Sequence, residues 1–126
     1  MARRILIVED DEKSRRLLSD VLAFHGYEVA AVSSGEEGVR TAMANKPDAA
    51  LLDIQLPGIS GFEVLAGLRE PQCCGARLPV VAVTASVMEQ DRKKILSAGF
   101  NAFVSKPVNI RDLLATLNQL FAKADP

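Results

Sequence analysis

Ala49-Ala50-Leu51-Leu52-Asp53 is an unbroken apolar run that ends on one carboxylate, and Ile54-Gln55-Leu56-Pro57-Gly58 follows it as a turn signal. A short continuous apolar run reads as a strand buried on both faces, the pattern of a parallel sheet covered by helices above and below. Three further runs share the design. Ile5-Leu6-Ile7-Val8 ends in Glu9-Asp10-Asp11, Val80-Val81-Ala82-Val83 in Thr84-Ala85, and Phe103-Val104-Ser105 in Lys106-Pro107. Each run finishes on a different polar group: adjacent acids, a lone acid, a hydroxyl and an ammonium. Parallel strands bring these groups to one edge of one sheet, and in open α/β folds ligands bind beyond the carboxyl ends of the strands.

Helical spacing fills the gaps between the runs. Leu17, Leu18, Val21, Leu22 and Phe24 recur with that period between Glu12 and His25, and His25-Gly26 reads as a helix end. Ser34 with Glu37, Ser60 with Glu63 and Ser86 with Glu89 have capping-box spacing, and Asn109 with Asp112 is a looser relative. Leu113, Leu114, Leu117, Leu120 and Phe121 line one face of the last helix. Tyr27 to Val32 reads as a second strand, and Glu28 within it suits an edge position. Strand and helix therefore alternate five times, which implies a doubly wound α/β domain with a parallel sheet and helices on both faces. The flavodoxin-like (βα)5 order 2-1-3-4-5 fits, because it leaves the Glu28 strand at an edge and the apolar first and third runs in the middle.

A chain of 126 residues suggests a single domain over 1–126, with a core of about 3–122 and a frayed tail at 123–126. Hydrophobic residues make up 48%, enough for a globular core, and the formal charge of −1 offers no electrostatic case for nucleic-acid binding. No apolar stretch approaches the length of a membrane span. Met-Ala-Arg-Arg followed by so short an apolar run is not a signal peptide, so the expected location is cytoplasmic. Cys73 and Cys74 are adjacent. Neighbouring cysteines rarely form a comfortable disulfide, and two ligands do not make a zinc site. They read as reduced loop cysteines, with a redox or metal role as the alternative.

The polar strand ends suit Mg²⁺, a hard cation that takes one or two carboxylates and keeps several waters. Asp10, Asp11 and Asp53 are the candidate carboxylate ligands, the backbone carbonyl of Gln55 adds another oxygen, and Mn²⁺ is a possible substitute. Three neighbouring acids repel each other, so at least one is expected to ionise late. Phosphoryl transfer asks mainly for positioning and charge neutralisation. Asp53 can act as the nucleophile, Lys106 can balance charge on the transferring oxygens, and the Thr84 hydroxyl can bind another.

Glu9-Asp10-Asp11, Asp53 with Pro57-Gly58, Thr84-Ala85 and Lys106-Pro107 together resemble the signature of response-regulator receiver domains, of the CheY-like superfamily. The resemblance runs from Ile5 to about Phe121. It implies that Asp53 accepts a phosphoryl group from a sensor histidine kinase or a histidine phosphotransfer protein. It also implies a cis Lys106–Pro107 peptide, and a switch in which Thr84 is drawn toward the phosphoryl group while Phe103 turns inward. The remodelled surface would span the fourth helix, fifth strand and fifth helix, roughly Val87 to Ala122, where a downstream protein would bind. Ile54 to Gly61, with Val83-Thr84-Ala85 and Ser105-Lys106-Pro107, is further similar to stand-alone cell-cycle regulators of the DivK type.

Other functions fit the same residues less well. An aspartyl phosphatase typically carries a second acid two residues after its nucleophile, and Gln55 occupies that place, so a switch is expected rather than an enzyme that turns over. A flavin or nucleotide binder would need a Gly-rich phosphate loop after the first strand, where acids stand instead. A phosphorylation-independent interaction module and a receiver cut from a larger hybrid kinase are the remaining alternatives. No DNA-binding output is expected.

Overall fold

The computed structural model describes residues 2–124 except 57, 86 and 87. Among the described residues the order is β1 (Arg4–Val8), α1 (Glu12–Phe24), β2 (Glu28–Val32), α2 (Gly35–Asn45), β3 (Ala49–Asp53), α3 (Gly61–Arg69), β4 (Val80–Thr84), α4 (Glu89–Ala98), β5 (Ala102–Ser105) and α5 (Ile110–Ala124). The strands form one parallel sheet in the order β2-β1-β3-β4-β5, the flavodoxin-like arrangement expected from the alternation.

Strand periodicity explains the two cores. Side chains alternate between faces, so Leu6, Val8, Ala50, Leu52, Val80 and Ala82 pack against α2, α3 and α4. Ile5, Ile7, Leu51, Val81 and Val83 point the other way, against α1 and α5. β3 and β4 are buried at every position, whereas β2 pairs only with β1 and stays half-exposed, with Glu28 at its open edge near Arg4. No helix among the described residues is long and apolar enough to cross a membrane.

Helix ends follow the local chemistry. Ser34 and Ser60 accept the N–H of Glu37 and Glu63, and Asn109 accepts that of Asp112. The expected cap at Ser86 lies outside the described residues. α4 starts later than that spacing suggests, with Met88 as its N-cap and no side-chain cap hydrogen bond. Its C-terminal end is better held: the Arg69 guanidinium donates to the carbonyls of Leu78 and Gly99 and to Asn101 Oδ1, while Val80 N–H donates to the same Asn101 oxygen.

Two residues counted in the apolar stripe of α1 are not core. Leu17 is 58% exposed and Phe24 is 86% exposed. The buried row is Leu18 and Leu22; Phe24 lies roughly 240° around the axis from Leu18 and so faces away.

Gly61 shows how the fold fixes the site. A Cβ there would lie 2.9 Å from the Asp53 carbonyl oxygen and 2.9 Å from the Ile54 Cα, both backbone atoms that cannot rotate aside. Gly61→Ala is therefore expected to cost about 2 kcal/mol in urea unfolding, within the range for overpacking. The displaced β3 exit should also slow any chemistry at Asp53. Unchanged stability would mean that this loop has slack.

Candidate functional site

The edge formed by the carboxyl ends of the strands collects Glu9 and Asp10 after β1, Asp53 at the end of β3, Thr84 at the end of β4 and Lys106 after β5. Backbone pairing sets the heights: Asp53 is level with Val83, Thr84 is level with Ser105, and Lys106 N–H donates to the Thr84 carbonyl at 2.8 Å. The Lys106–Pro107 peptide is cis.

The Asp53 carboxylate is buried and held from two sides. Gln55 N–H donates to its Oδ1 at 2.9 Å, and the Lys106 ammonium donates to its Oδ2 at 2.9 Å. The same ammonium donates to Glu9 Oε1 at 3.1 Å. Glu9 is buried as well, and Arg15 anchors its backbone by donating to the Glu9 carbonyl at 3.0 Å. Thr84 is buried beside this group. Phe103 is half-buried on β5, packed against the α2–α3–α4 core, with the Arg92 guanidinium 5.3 Å from its ring centre.

Carboxylate oxygens of Glu9, Asp10 and Asp53 all lie within 4.8 Å of one another. Of the acids proposed from the sequence, Asp10 and Asp53 are brought together here and Asp11 is not. Asp11 is the N-cap of α1, and its Oδ2 accepts the Ser14 N–H at 2.9 Å. Glu9, quoted in the motif but given no role from sequence, takes the third place in the cluster. The signal was available: β1 ends at Val8, so Glu9 is the first side chain beyond the strand. Gln55 contributes its N–H to Asp53; its side chain is exposed.

Electrostatics follow from this packing. Burial raises the Glu9 carboxyl to about 7, the contact with the Asp53 carboxyl adds to the shift, and Lys106 opposes it. Burial pulls the Lys106 ammonium down, but its hydrogen bonds to Asp53 and Glu9 outweigh that and hold it above the ordinary lysine value. The Ser14 N–H keeps Asp11 below the usual aspartate value. The late ionisation expected of Asp10, Asp11 or Asp53 is found instead at Glu9, an acid outside that set, and its first cause is burial rather than like-charge repulsion.

The donor set fits Mg²⁺. It supplies hard oxygen ligands of excess negative charge, and Asp10 is exposed, which leaves room for the waters this ion keeps. A pair of substitutions separates the acids. Asp10→Asn should weaken Mg²⁺ binding at least tenfold by titration, whereas Asp11→Ala should lower stability modestly through the lost cap and leave Mg²⁺ affinity within about twofold. Equal losses in both would return Asp11 to the metal set.

Comparison with known proteins agrees with this geometry. Residues 5–118 match the family model of the response regulator receiver domain. The chain is 36% identical over 124 residues to the polar-differentiation response regulator DivK of Brucella ovis, covering 98% of this chain and 100% of that protein. It is similar to the solved structure of a CheY-like receiver domain protein from Methanospirillum hungatei (30% identity, TM-score 0.88, 99% of this chain and 98% of that one). It is also similar to the receiver domain of a sensor histidine kinase from Pseudomonas aeruginosa (31% identity, TM-score 0.85, 97% and 99%). That last structure has a magnesium ion coordinated in its active-site cleft.

Proposed function

Since this chain belongs to the response regulator receiver domain family, we propose that it is a phosphorylation-controlled switch whose acceptor is Asp53. The observation that carries this reading is the buried Asp53 carboxylate, with one oxygen held by the Gln55 N–H and the other by Lys106, at the open end of the sheet. The donor is the phosphohistidine of a kinase or phosphotransfer protein. The P–N bond breaks, a bond forms between phosphorus and a carboxylate oxygen of Asp53, and the imidazole, which carries a proton on its other nitrogen in the phosphohistidine that reacts, leaves as the neutral ring. Glu9, Asp10 and Asp53 would hold Mg²⁺, which when bound neutralises charge on the phosphoryl oxygens.

The chain's own groups do the rest. The Gln55 N–H and the Lys106 ammonium fix the plane of the carboxylate before the donor arrives, which is where such transfers gain most of their rate. Lys106 then exchanges a carboxylate oxygen for a phosphoryl oxygen, and the Thr84 hydroxyl turns to donate to another. A cleft of about 430 Å³ that opens onto Glu9, Ser14 and Lys106 and is otherwise lined by Leu17, Leu18, Val83, Pro107 and Val108 supports approach of a partner's apolar surface. This gives the exposed Leu17 a use.

Rotation of Thr84 frees space for the half-buried Phe103 ring, which would leave Arg92 and turn inward. The face of α4, β5 and α5 changes with it, and the change biases two pre-existing conformations. Gln55 has no acid function two residues after Asp53, so the reading is a switch and not a multiple-turnover phosphatase. The test is incubation with a small acyl phosphate, with and without Mg²⁺, followed by intact mass. One Mg²⁺-dependent phosphoryl group per chain is expected. Absence of an adduct, together with no response to a stable phosphoryl mimic, would leave a phosphorylation-independent binding module.

A further inference from the structure

The molecule brings together a second pair of reactive side chains, in the turn between α3 and β4 at the opposite end of the sheet from Asp53. Cys73 and Cys74 are unbonded, with their Sγ atoms 3.3 Å apart. Cys73 is buried and Cys74 half-buried, and both border a cleft of about 360 Å³ shared with Lys46, Pro47, Leu78 and Phe121. The turn is pinned on all sides. Cys73 N–H donates to the Glu70 carbonyl at 2.9 Å, Cys74 N–H to the Leu68 carbonyl at 3.2 Å and Gly75 N–H to the Glu70 carbonyl at 3.2 Å. The Lys46 ammonium donates to the Cys73 carbonyl. These bonds fix the backbone of the turn, and the two sulfurs on it stand at a chelating separation.

The size of that separation selects what fits. With sulfur bonds of roughly 2.3 Å, the length of a zinc thiolate, sulfurs 3.3 Å apart subtend about 90° at a shared centre. Tetrahedral zinc needs the sulfurs about 3.8 Å apart and two more protein ligands. The chain has no third cysteine, its one histidine, His25, is the C-cap of α1 and does not line the cleft, and the carboxylate that does, Asp48, already accepts the Arg4 N–H at 2.7 Å. A linear two-coordinate soft cation needs them about 4.6 Å apart at the same bond length. Near-right angles belong to a pyramidal trivalent centre with a lone pair.

We propose that Cys73 and Cys74 form a chelating site for a monosubstituted trivalent arsenical, with the organic substituent in the adjoining cleft. In the hydrated reagent, which carries two hydroxyls, two As–O bonds and two S–H bonds break. Two As–S bonds form, each thiol proton leaves with a hydroxyl as water, and arsenic stays trivalent. No oxidant is needed. Oxidation to a disulfide is the less favoured use of the pair: burial, then the hydrogen bond with Cys73, pushes the Cys74 thiol up to about 12, and the thiolate is the form that attacks a peroxide. Exchange at arsenic proceeds from the thiol, because the proton departs with the hydroxyl.

The test titrates the native full chain with phenylarsine oxide in excess monothiol, reading intact mass. One phenylarsenic group per chain is expected in place of two protons, removed by dimercaptopropanol and not by monothiol, and absent from Cys73→Ser and Cys74→Ser. A turn fixed by the fold also predicts at least tenfold tighter binding by the folded chain than by the same chain in urea. Binding only in urea, equal affinity in both states, or retention by a single-cysteine variant would overturn the proposal. If Cys73→Ser does not fold, Cys74→Ala at the half-buried position makes the same comparison.

Discussion

Asp53→Asn takes up no phosphoryl group from a small acyl phosphate under conditions that modify the native chain fully. An amide lacks the anionic oxygen that attacks phosphorus, and no second carboxylate in the cluster holds the same place between the Gln55 N–H and Lys106. The substitution should also flatten the pH dependence of stability. In the native chain the raised Glu9 carboxyl means that, between its ordinary value near 4.5 and about 7, the folded state keeps a proton that the unfolded state has released. Stability from this group is full below that window and falls as pH rises through it. Removing the Asp53 charge removes a contact that raises Glu9, while Lys106 remains to lower it, so the decline shrinks. Urea midpoints of the metal-free proteins at pH 5 and pH 8 measure this. A variant as pH-sensitive as the native chain would mean that Glu9 and Asp53 do not interact, and phosphoryl uptake by the variant would place the acceptor elsewhere.

Lys106→Met has the largest expected effect on stability. The ammonium lies between Glu9 and Asp53, whose side chains are only 3% and 5% exposed. A methionine keeps much of the apolar stem and leaves two buried carboxylates facing each other with no cation. Removing one partner of a buried ion pair costs several kcal/mol. Because Lys106 is itself 30% exposed, the low end applies, about 3 kcal/mol at pH 8 without metal. At pH 5 Glu9 is protonated in the fold and only the Asp53 carboxylate is left without its cation, so the cost should fall by roughly 1.4 kcal/mol. The lysine is charged at both values, so its own titration does not enter. Saturating Mg²⁺ should recover part of the loss at pH 8 by replacing the missing positive charge. A cost independent of both pH and Mg²⁺ would show that the stem, not the charge, holds the site together.

The site and the sheet order were legible for the same reason. A parallel strand buried on both faces must be apolar throughout, so its first polar residue marks the sheet edge. Asp53 and Thr84 were located that way, Lys106 as the cation that follows the short fourth run after Ser105, and Glu28 marked the open edge by the converse argument. The block Glu9-Asp10-Asp11 was harder, because three acids in a row do not say where the strand stops and the helix starts. That boundary falls one residue earlier than the metal assignment required, which puts Glu9 into the cluster and gives Asp11 to the Ser14 N–H. Leu17 and Phe24 failed differently. They satisfy a loose helical spacing, but only the Leu18–Leu22 row meets the sheet. The geometry of Cys73 and Cys74 was beyond sequence, since adjacency fixes neither sulfur.

The Arg69 guanidinium gives α4 the mechanics of a lever. One end is clamped, through Gly99 and Asn101, to the start of β4, and the other begins at Met88 without a side-chain cap. A helix held this way has its fulcrum at Gly99, so a small rotation near Thr84 becomes its largest displacement at Glu89 and fades toward Ala98. Amide exchange should run the same gradient, fastest in the first turn. Arg69→Met should erase it by freeing the clamped end. Partners that sense the switch are then best placed against the Met88 end of the helix, where the travel is greatest.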